Sequence, residues 1–89
     1  MMDMRVTVTV RDTGPVVHAD GRLSGLSVGE LESVVGMMDG PVTLDLTNLL
    51  SADDAGVAAL RTLSGRGVQL VGVSPYMSLL LEVDHPRDL

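Results

Sequence analysis

Segments with helical periodicity alternate with short strand-like segments along this chain, and that alternation restricts the fold more than any other feature. Two strands come first, and each of the three predicted helices is then separated from the next by one strand. A strand, a helix and a second strand in succession form a right-handed crossover that leaves the two strands parallel. The order β-β-α-β-α-β-α therefore predicts an α/β fold, with helices packed on a small mixed sheet of four strands.

The first two strands are predicted to form an antiparallel hairpin. Met4–Val10 reads MRVTVTV, in which the valines face one way and Arg or Thr the other, as in a half-buried strand. Turn residues follow in RDTGP at 11–15, and VVHAD at 16–20 is the returning strand. PVTLDL at 41–46 is the predicted third strand. RGVQLVGV at 66–73 is apolar without alternation, which predicts a fourth strand that is buried on both faces.

Three helices are predicted between and after these strands. The first spans Val28–Met38, because Ser27 and Glu30 have the spacing of a capping box and apolar residues follow at intervals of three and four. The second follows the connection TNLLSA and an acidic pair, and ends near Gly65. The third begins at the Ser-Pro of SPYMSLLLEV, since proline is favoured in the first turn of a helix.

Composition excludes several classes of function. Residues 1–89 are enough for a single domain, in which the polar residues 84–89 are expected to form a frayed tail. The chain has no Cys, which rules out disulfides, thiolate metal sites and a Cys nucleophile. It also has no Lys, which rules out a Schiff base and the lysine of a phosphate-binding loop. Because the net charge is −6, the basic footprint that nucleic-acid binding requires is missing.

No membrane, metal or catalytic signature is apparent in the sequence. No apolar run approaches the ~20 residues of a membrane span, and the amino terminus lacks the apolar block of a signal peptide. We therefore expect a cytoplasmic protein without membrane insertion. His18 and His85 lie far apart, whereas a zinc site needs three or four converging ligands. With no nucleophile-elbow pattern either, we expect neither a cofactor nor enzymatic activity.

Asp53 and Asp54 stand side by side where a strand gives way to a helix. A helix begins with unpaired N–H groups and a partial positive charge, so one carboxylate there acts as a cap and a second gains from the dipole. We expect Asp53 to be the cap, and on these grounds alone Asp54 is an ordinary acid of the first turn. Gly56 would let the helix pack closely against a neighbour, since it has no side chain.

Three segments together match the pattern of one protein family. VTLDLTNLLSADDAGVAAL at 42–60 is similar to the family's central strand, turn and helix start, and it is the most specific of the three. VVHADGRLSGLSVGEL at 16–31 resembles the family's strand and first helix, and GVQLVGVSPYMSLLLEV at 67–83 its last strand, Ser-Pro and helix. The family is that of the STAS domains, which includes the anti-sigma factor antagonists. The resemblance covers almost the whole chain and implies a bacterial protein-interaction module rather than an enzyme.

The acidic pair departs from the pattern of the regulated members, in which Asp is followed by a Ser that a partner kinase phosphorylates. Asp53 matches the family's Asp, Ala55 and Gly56 match the small residue and the Gly, and Asp54 falls on the Ser. Phosphoserine carries about −1.5 to −2 charges and Asp about −1, so Asp54 would imitate the modified state partially and permanently. In the family that state releases the anti-sigma partner. The chain would then be locked in a non-binding state, or adapted to a partner that accepts the charge.

The resemblance also implies a partner and a surface. We expect a kinase-like anti-sigma factor to bind around Leu49–Ala58 and the loop Gly21–Ser27, which contains Ser24, with control of transcription as the output. Ser51 and Thr47 are the nearest other hydroxyls, although neither is at the matching position.

The resemblance also implies alternative functions. Related domains serve as accessory subunits of lipid-transport ABC systems, often without the phosphorylation switch, and some are nucleotide binders, for which GRLSG at 21–25 would be the candidate loop. Regulated members also continue beyond the Ser-Pro helix with another short helix, whereas this sequence ends at Leu89. If that helix covers the sheet, an exposed apolar edge would favour a homodimer.

Overall fold

Five strands and three helices follow one another in the computed structural model, which describes residues 4–38 and 40–83. The strands are β1 (Met4–Arg11), β2 (Gly14–Leu23), β3 (Thr43–Asp45), β4 (Leu49–Ala52) and β5 (Gln69–Val71). The helices are α1 (Gly25–Gly36), α2 (Asp54–Gly65) and α3 (Pro75–Val83). The predicted α/β class is confirmed, although the sheet has five strands rather than four. The tail predicted at 84–89 lies outside the described residues.

β2 is the centre of the sheet. It pairs antiparallel with β1, as the predicted hairpin requires, in a register that places Val8 opposite Val17. It pairs parallel with both β3 and β4, and β3 pairs parallel with β5. The parallel pairs follow from the helical crossovers, so that part of the topology was predictable from the order of elements.

β4 is the strand that the sequence reading missed, because TNLLSA was interpreted as a connection. β3 lies beside Val16–His18 and β4 lies beside Gly21–Leu23, so the two are consecutive segments of one interrupted strand along β2. A turn at residues 47 and 48 separates them. Leu49 is buried and Leu50 is exposed, but an alternation of two residues is too short to predict a strand. β4 is accommodated because β2 is ten residues long and extends beyond the segment that pairs with β3.

The start of α1 also differs from the prediction of Val28–Met38. The helix begins three residues earlier, at Gly25, with Ser24 as the residue that precedes it, and it ends at Gly36. The Ser27 hydroxyl accepts a hydrogen bond of 3.0 Å from the Ser24 N–H, which is the role that the prediction gave to Glu30. Ser24 and Ser27 both carry the hydroxyl that a helix cap requires, so the local sequence does not distinguish between them.

β5 is shorter and more exposed than predicted. It comprises three residues, of which Gln69 is exposed and the next two are half-buried. The strand lies at the edge of the sheet and has β3 as its neighbour. An apolar run does not distinguish a central strand from an edge strand, so the prediction of burial on both faces was wrong.

The buried side chains of the sheet lie on one face, where the helices pack. Val17 and Ala19 of β2 and Leu44 of β3 point into this core, together with Leu31 of α1 and Leu60 of α2. The core is aliphatic, as expected for a chain whose single aromatic residue is exposed. Within the described residues, no helix combines the length and the apolar character needed to cross a bilayer.

The beginning of α3 is as predicted. The helix starts at Pro75, and the Ser74 hydroxyl accepts a hydrogen bond of 3.1 Å from the Met77 N–H. Met77 is buried in the core, which anchors the first turn of α3 on the sheet.

Candidate functional site

One carboxylate joins the amino termini of two helices. Asp53 directly precedes α2, and its Oδ1 accepts a hydrogen bond of 2.8 Å from the Gly56 N–H, so the predicted cap is confirmed. Its Oδ2 accepts a second hydrogen bond of 3.0 Å from the N–H of Gly25, the first residue of α1. No sequence pattern indicated this second bond, which joins residues 28 positions apart. Asp53 therefore fixes the start of α1 against the start of α2.

The backbone of Asp53 is held as well. Its N–H donates to the carbonyl oxygen of Leu23 at 3.0 Å, which continues the pairing of β4 with β2 by one residue. Its extended conformation (φ −82°, ψ −175°) then turns the chain into α2. Because both the backbone and the side chain of Asp53 are hydrogen-bonded, the orientation of its carboxylate is set by the sheet and not by rotamer preference alone.

The two bonds also favour the charged form of Asp53. Hydrogen bonds from the N–H of Gly56 first, and then of Gly25, hold the pKa of its carboxyl below the ordinary value of 3.8. A pKa that is lower in the folded state contributes stability that is present above the ordinary value. That stability is lost as the pH falls through the lower, folded-state pKa.

We therefore expect acid to remove the contribution of Asp53 to stability. The melting temperature Tm of the wild type should exceed that of Asp53→Asn by a margin that is constant above about pH 5 and shrinks towards about pH 2. Asn retains a carbonyl acceptor for one N–H but does not titrate, which makes it the matched control. Thermal unfolding followed by circular dichroism across this range measures the margin. A margin that is independent of pH would contradict this role of the carboxylate.

Asp54 is exposed in the first turn of α2. Its charge is favourable there, because the amino-terminal end of a helix carries a partial positive charge. The structure thus places Asp54 in the first turn after the strand–helix junction, as the sequence predicted, and its side chain is exposed. Ala55 is exposed beside it, and a Cβ built on Gly25 would lie 3.6 Å from the Ala55 Cβ, so the first turns of α1 and α2 are close neighbours.

Gly56 is buried beneath this acidic pair, where α2 approaches the sheet. A Cβ built on it would lie 2.6 Å from the carbonyl oxygen of Leu23 and 3.2 Å from the Cβ of Ala52. The expected close packing at Gly56 is therefore present. Because Gly56 is buried, it supports the surface and is not available for direct contact with a partner.

Ser24 and Ser51 lie near the two helix starts, since Ser24 immediately precedes α1 and Ser51 lies in β4, two residues before Asp53. Ser24 is half-buried at the start of α1, and Ser51 is half-buried in β4, opposite Arg22 of β2. The hydroxyls of both serines, which were expected at the partner-binding surface, therefore lie within a few residues of Asp53 or of Gly25, whose N–H donates to it.

Two exposed leucines lie in the segments where partner binding was expected, Gly21–Ser27 and Leu49–Ala58, although the sequence analysis singled out neither of them. Leu26, in the first turn of α1, is 98% exposed, and Leu50, in β4, is 75% exposed. Leu26 follows Gly25, whose N–H donates a hydrogen bond to the Asp53 carboxylate, and Leu50 precedes Asp53 by three residues. We call the edge formed by these elements the helix-start surface. It comprises Ser24, Leu26, Leu50, Ser51, Asp53, Asp54 and Ala55.

A second polar cluster lies on the sheet face opposite the core. Nδ1 of His18 is 3.3 Å from Oδ2 of Asp45, and its Nε2 is 3.2 Å from the Thr9 hydroxyl. The Thr47 hydroxyl and N–H both donate to Oδ1 of Asp45, at 2.6 and 2.9 Å, and these bonds chiefly lower the pKa of Asp45. The cluster holds the turn between β3 and β4, and the hydroxyl of Thr47 is engaged in it.

No protein-family model and no curated protein sequence matches this chain. A solved structure does match, namely the crystal structure of an anti-sigma-factor antagonist STAS domain from Rhodobacter sphaeroides. The TM-score is 0.63 over 78% of this chain and 86% of that one, with 19% sequence identity. The predicted resemblance is thus confirmed at the level of the fold: the chain has the fold of a STAS domain.

Proposed function

We propose that this chain is a non-enzymatic protein-interaction module that binds its partner through the helix-start surface. The observation that carries the proposal is the pair of hydrogen bonds that the Asp53 carboxylate accepts from the N–H groups of Gly25 and Gly56, which makes one surface from two helix starts. A surface fixed in this way is preorganised, so less conformational freedom is lost when a partner binds. The similarity of the fold to an anti-sigma-factor antagonist supports a protein as the ligand.

The partner that we propose is a kinase-like anti-sigma factor, and the output is regulation of transcription. The similar Rhodobacter sphaeroides protein is itself described as an anti-sigma-factor antagonist. The segment at 42–60 further supports this partner, because its resemblance to the antagonists includes five of the seven residues of the helix-start surface.

Asp54 sets the charge state of the helix-start surface in this proposal. Its carboxylate is exposed at the start of α2, where regulated relatives carry a phosphorylatable hydroxyl. A fixed charge of about −1 then stands in for a reversible charge of about −1.5 to −2. We propose that the wild-type chain is held in the charged, phosphoserine-like state. Removal of the charge would restore binding to the anti-sigma factor.

The exposed leucines supply the apolar contacts of the proposed interface. Truncation of Leu26 or Leu50 to Ala should weaken binding roughly 10- to 100-fold, because burial of a leucine side chain is worth about 1.5–3 kcal/mol. Since both side chains are exposed in the free chain, the substitutions should leave its folding intact. Isothermal titration of purified kinase-like anti-sigma factors from the same genome, in the Asp54→Ser background, measures the effect.

Leu79→Ala is the matched control, because this leucine of α3 is 61% exposed and lies outside the helix-start surface. We expect its affinity to equal that of the parent. Equal losses from all three truncations, or a loss from Leu79→Ala alone, would place the interface elsewhere.

A further inference from the structure

β1 leaves one edge of the sheet open. It pairs with β2 along its whole length, from Met4 to Arg11, and no other strand within residues 4–38 and 40–83 lies beside it. Its eight residues contain no proline, and their register with β2 is uninterrupted. An edge of this kind presents unpaired N–H and C=O groups that match the backbone of another extended strand. Valine and threonine, which favour strands, make up five of the eight residues.

The apolar side of β1 is covered over only half of its length. Met4 is buried by the core and Val6 is half-buried, whereas Val8 is 40% and Val10 is 82% exposed on the same face. Proteins commonly protect such edges with charged side chains, proline or a bulge. β1 has neither proline nor a bulge, and its charges are confined to Arg5 and Arg11, near its two ends. The backbone edge of β1 and the side chains of Val8 and Val10 are thus available to a further strand.

We propose that β1 pairs antiparallel with β1 of a second copy of this chain, about a two-fold axis at Thr7. This register places Val8 opposite the second copy's Val6, and Val10 opposite the second copy's Met4. Each exposed valine then meets an apolar residue on the same face of the joined sheet, and the reciprocal pairs are identical by symmetry. The sequence of β1 is therefore self-complementary, a property that a strand of arbitrary sequence would not have.

Two kinds of competing register are less favourable. An axis at Val8 would place Arg5 opposite the second copy's Arg11, and like charges directly opposite each other are destabilising. An axis between two residues would match the apolar face of one strand with the polar face of the other. The axis at Thr7 avoids both penalties, since Arg5 then lies opposite the second copy's Thr9.

Disulfide trapping tests this register directly, because the chain has no native Cys. In the proposed dimer, the two copies of residue 7 face each other with Cα atoms about 4.5–5.5 Å apart, which is within the range of disulfide-bonded cysteines. The two copies of residue 9 are separated by four residues along the strand, or roughly 13 Å. Under mild oxidation, we expect Thr7→Cys to form covalent dimers at least tenfold faster than Thr9→Cys. Equal rates would overturn the proposal.

Sedimentation equilibrium supplies an independent measurement on the unmodified chain. The average mass should rise with concentration from 9.3 kDa towards twice that value.

Val10→Lys should remain monomeric, because it places a charge against the second copy's Met4, while Leu79→Lys on α3 should behave like the wild type. Circular dichroism confirms that both variants are folded. A wild type that remains monomeric at millimolar concentration, or a Val10→Lys variant that still dimerises, would overturn the proposal. Neither result would affect partner binding through the helix-start surface, which does not include β1.

Discussion

Replacement of Gly56 by alanine is expected to destabilise the fold by roughly 2–4 kcal/mol, a large part of the stability of a domain of this size. The added Cβ would lie 2.6 Å from the Leu23 carbonyl oxygen and 3.0 Å from the Leu23 Cγ. Atoms do not approach so closely without a shift, and one of them belongs to the backbone of the central strand. α2 would have to move away from the sheet, which would also strain the hydrogen bond between Asp53 and the Gly56 N–H.

Gly29 and Gly36 of α1 provide matched controls for this substitution. A Cβ on either residue would meet no atom within 4 Å, and neither has a positive φ. Alanine in a helix is favoured over glycine by about 0.5–1 kcal/mol, so Gly29→Ala and Gly36→Ala should be neutral or stabilising. Urea unfolding followed by circular dichroism compares the three variants. If Gly56→Ala is as stable as the controls, the close approach of α2 to β2 is not required.

The sequence was sufficient to predict the parts of this structure that depend on neighbouring residues. The cap at Asp53 and the start of α3 at Pro75 each follow from a few adjacent side chains, and both are present. The hairpin of β1 and β2 follows from alternation on either side of a turn. The order of strands and helices was enough to suggest parallel pairing, because the handedness of crossovers leaves few alternatives.

The features that depend on distant residues were not predictable in the same way. The bond between Asp53 and Gly25 exists because β4 runs along the far end of β2, and β4 itself was interpreted as a connection. No local sequence pattern predicts the length of β2 or its pairing with β4 as a second parallel neighbour. The prediction also placed Leu26 in the loop Gly21–Ser27 rather than in the first turn of α1, because it began the helix three residues too late.

The second large effect is expected at Asp54. Substitution of Asp54 by serine should raise the affinity for a kinase-like anti-sigma factor at least tenfold, or about 1.4 kcal/mol, because it removes a fixed charge from the helix-start surface. The new hydroxyl should also be phosphorylated by the partner in the presence of ATP, and the affinity should then return to that of the wild type. Asp54→Asn, which removes the charge without supplying an acceptor, should bind tightly and remain unmodified.

The most direct test of the account is the affinity of the wild type, Asp54→Ser and Asp54→Asn for the same purified anti-sigma factor, with and without ATP. The predicted result is weak binding by the wild type, tight binding by both variants, and an ATP-dependent loss of binding by the serine variant alone. If all three chains bind with the same affinity and ATP changes none of them, the charge at residue 54 does not control partner binding, and the proposed role of this residue is wrong.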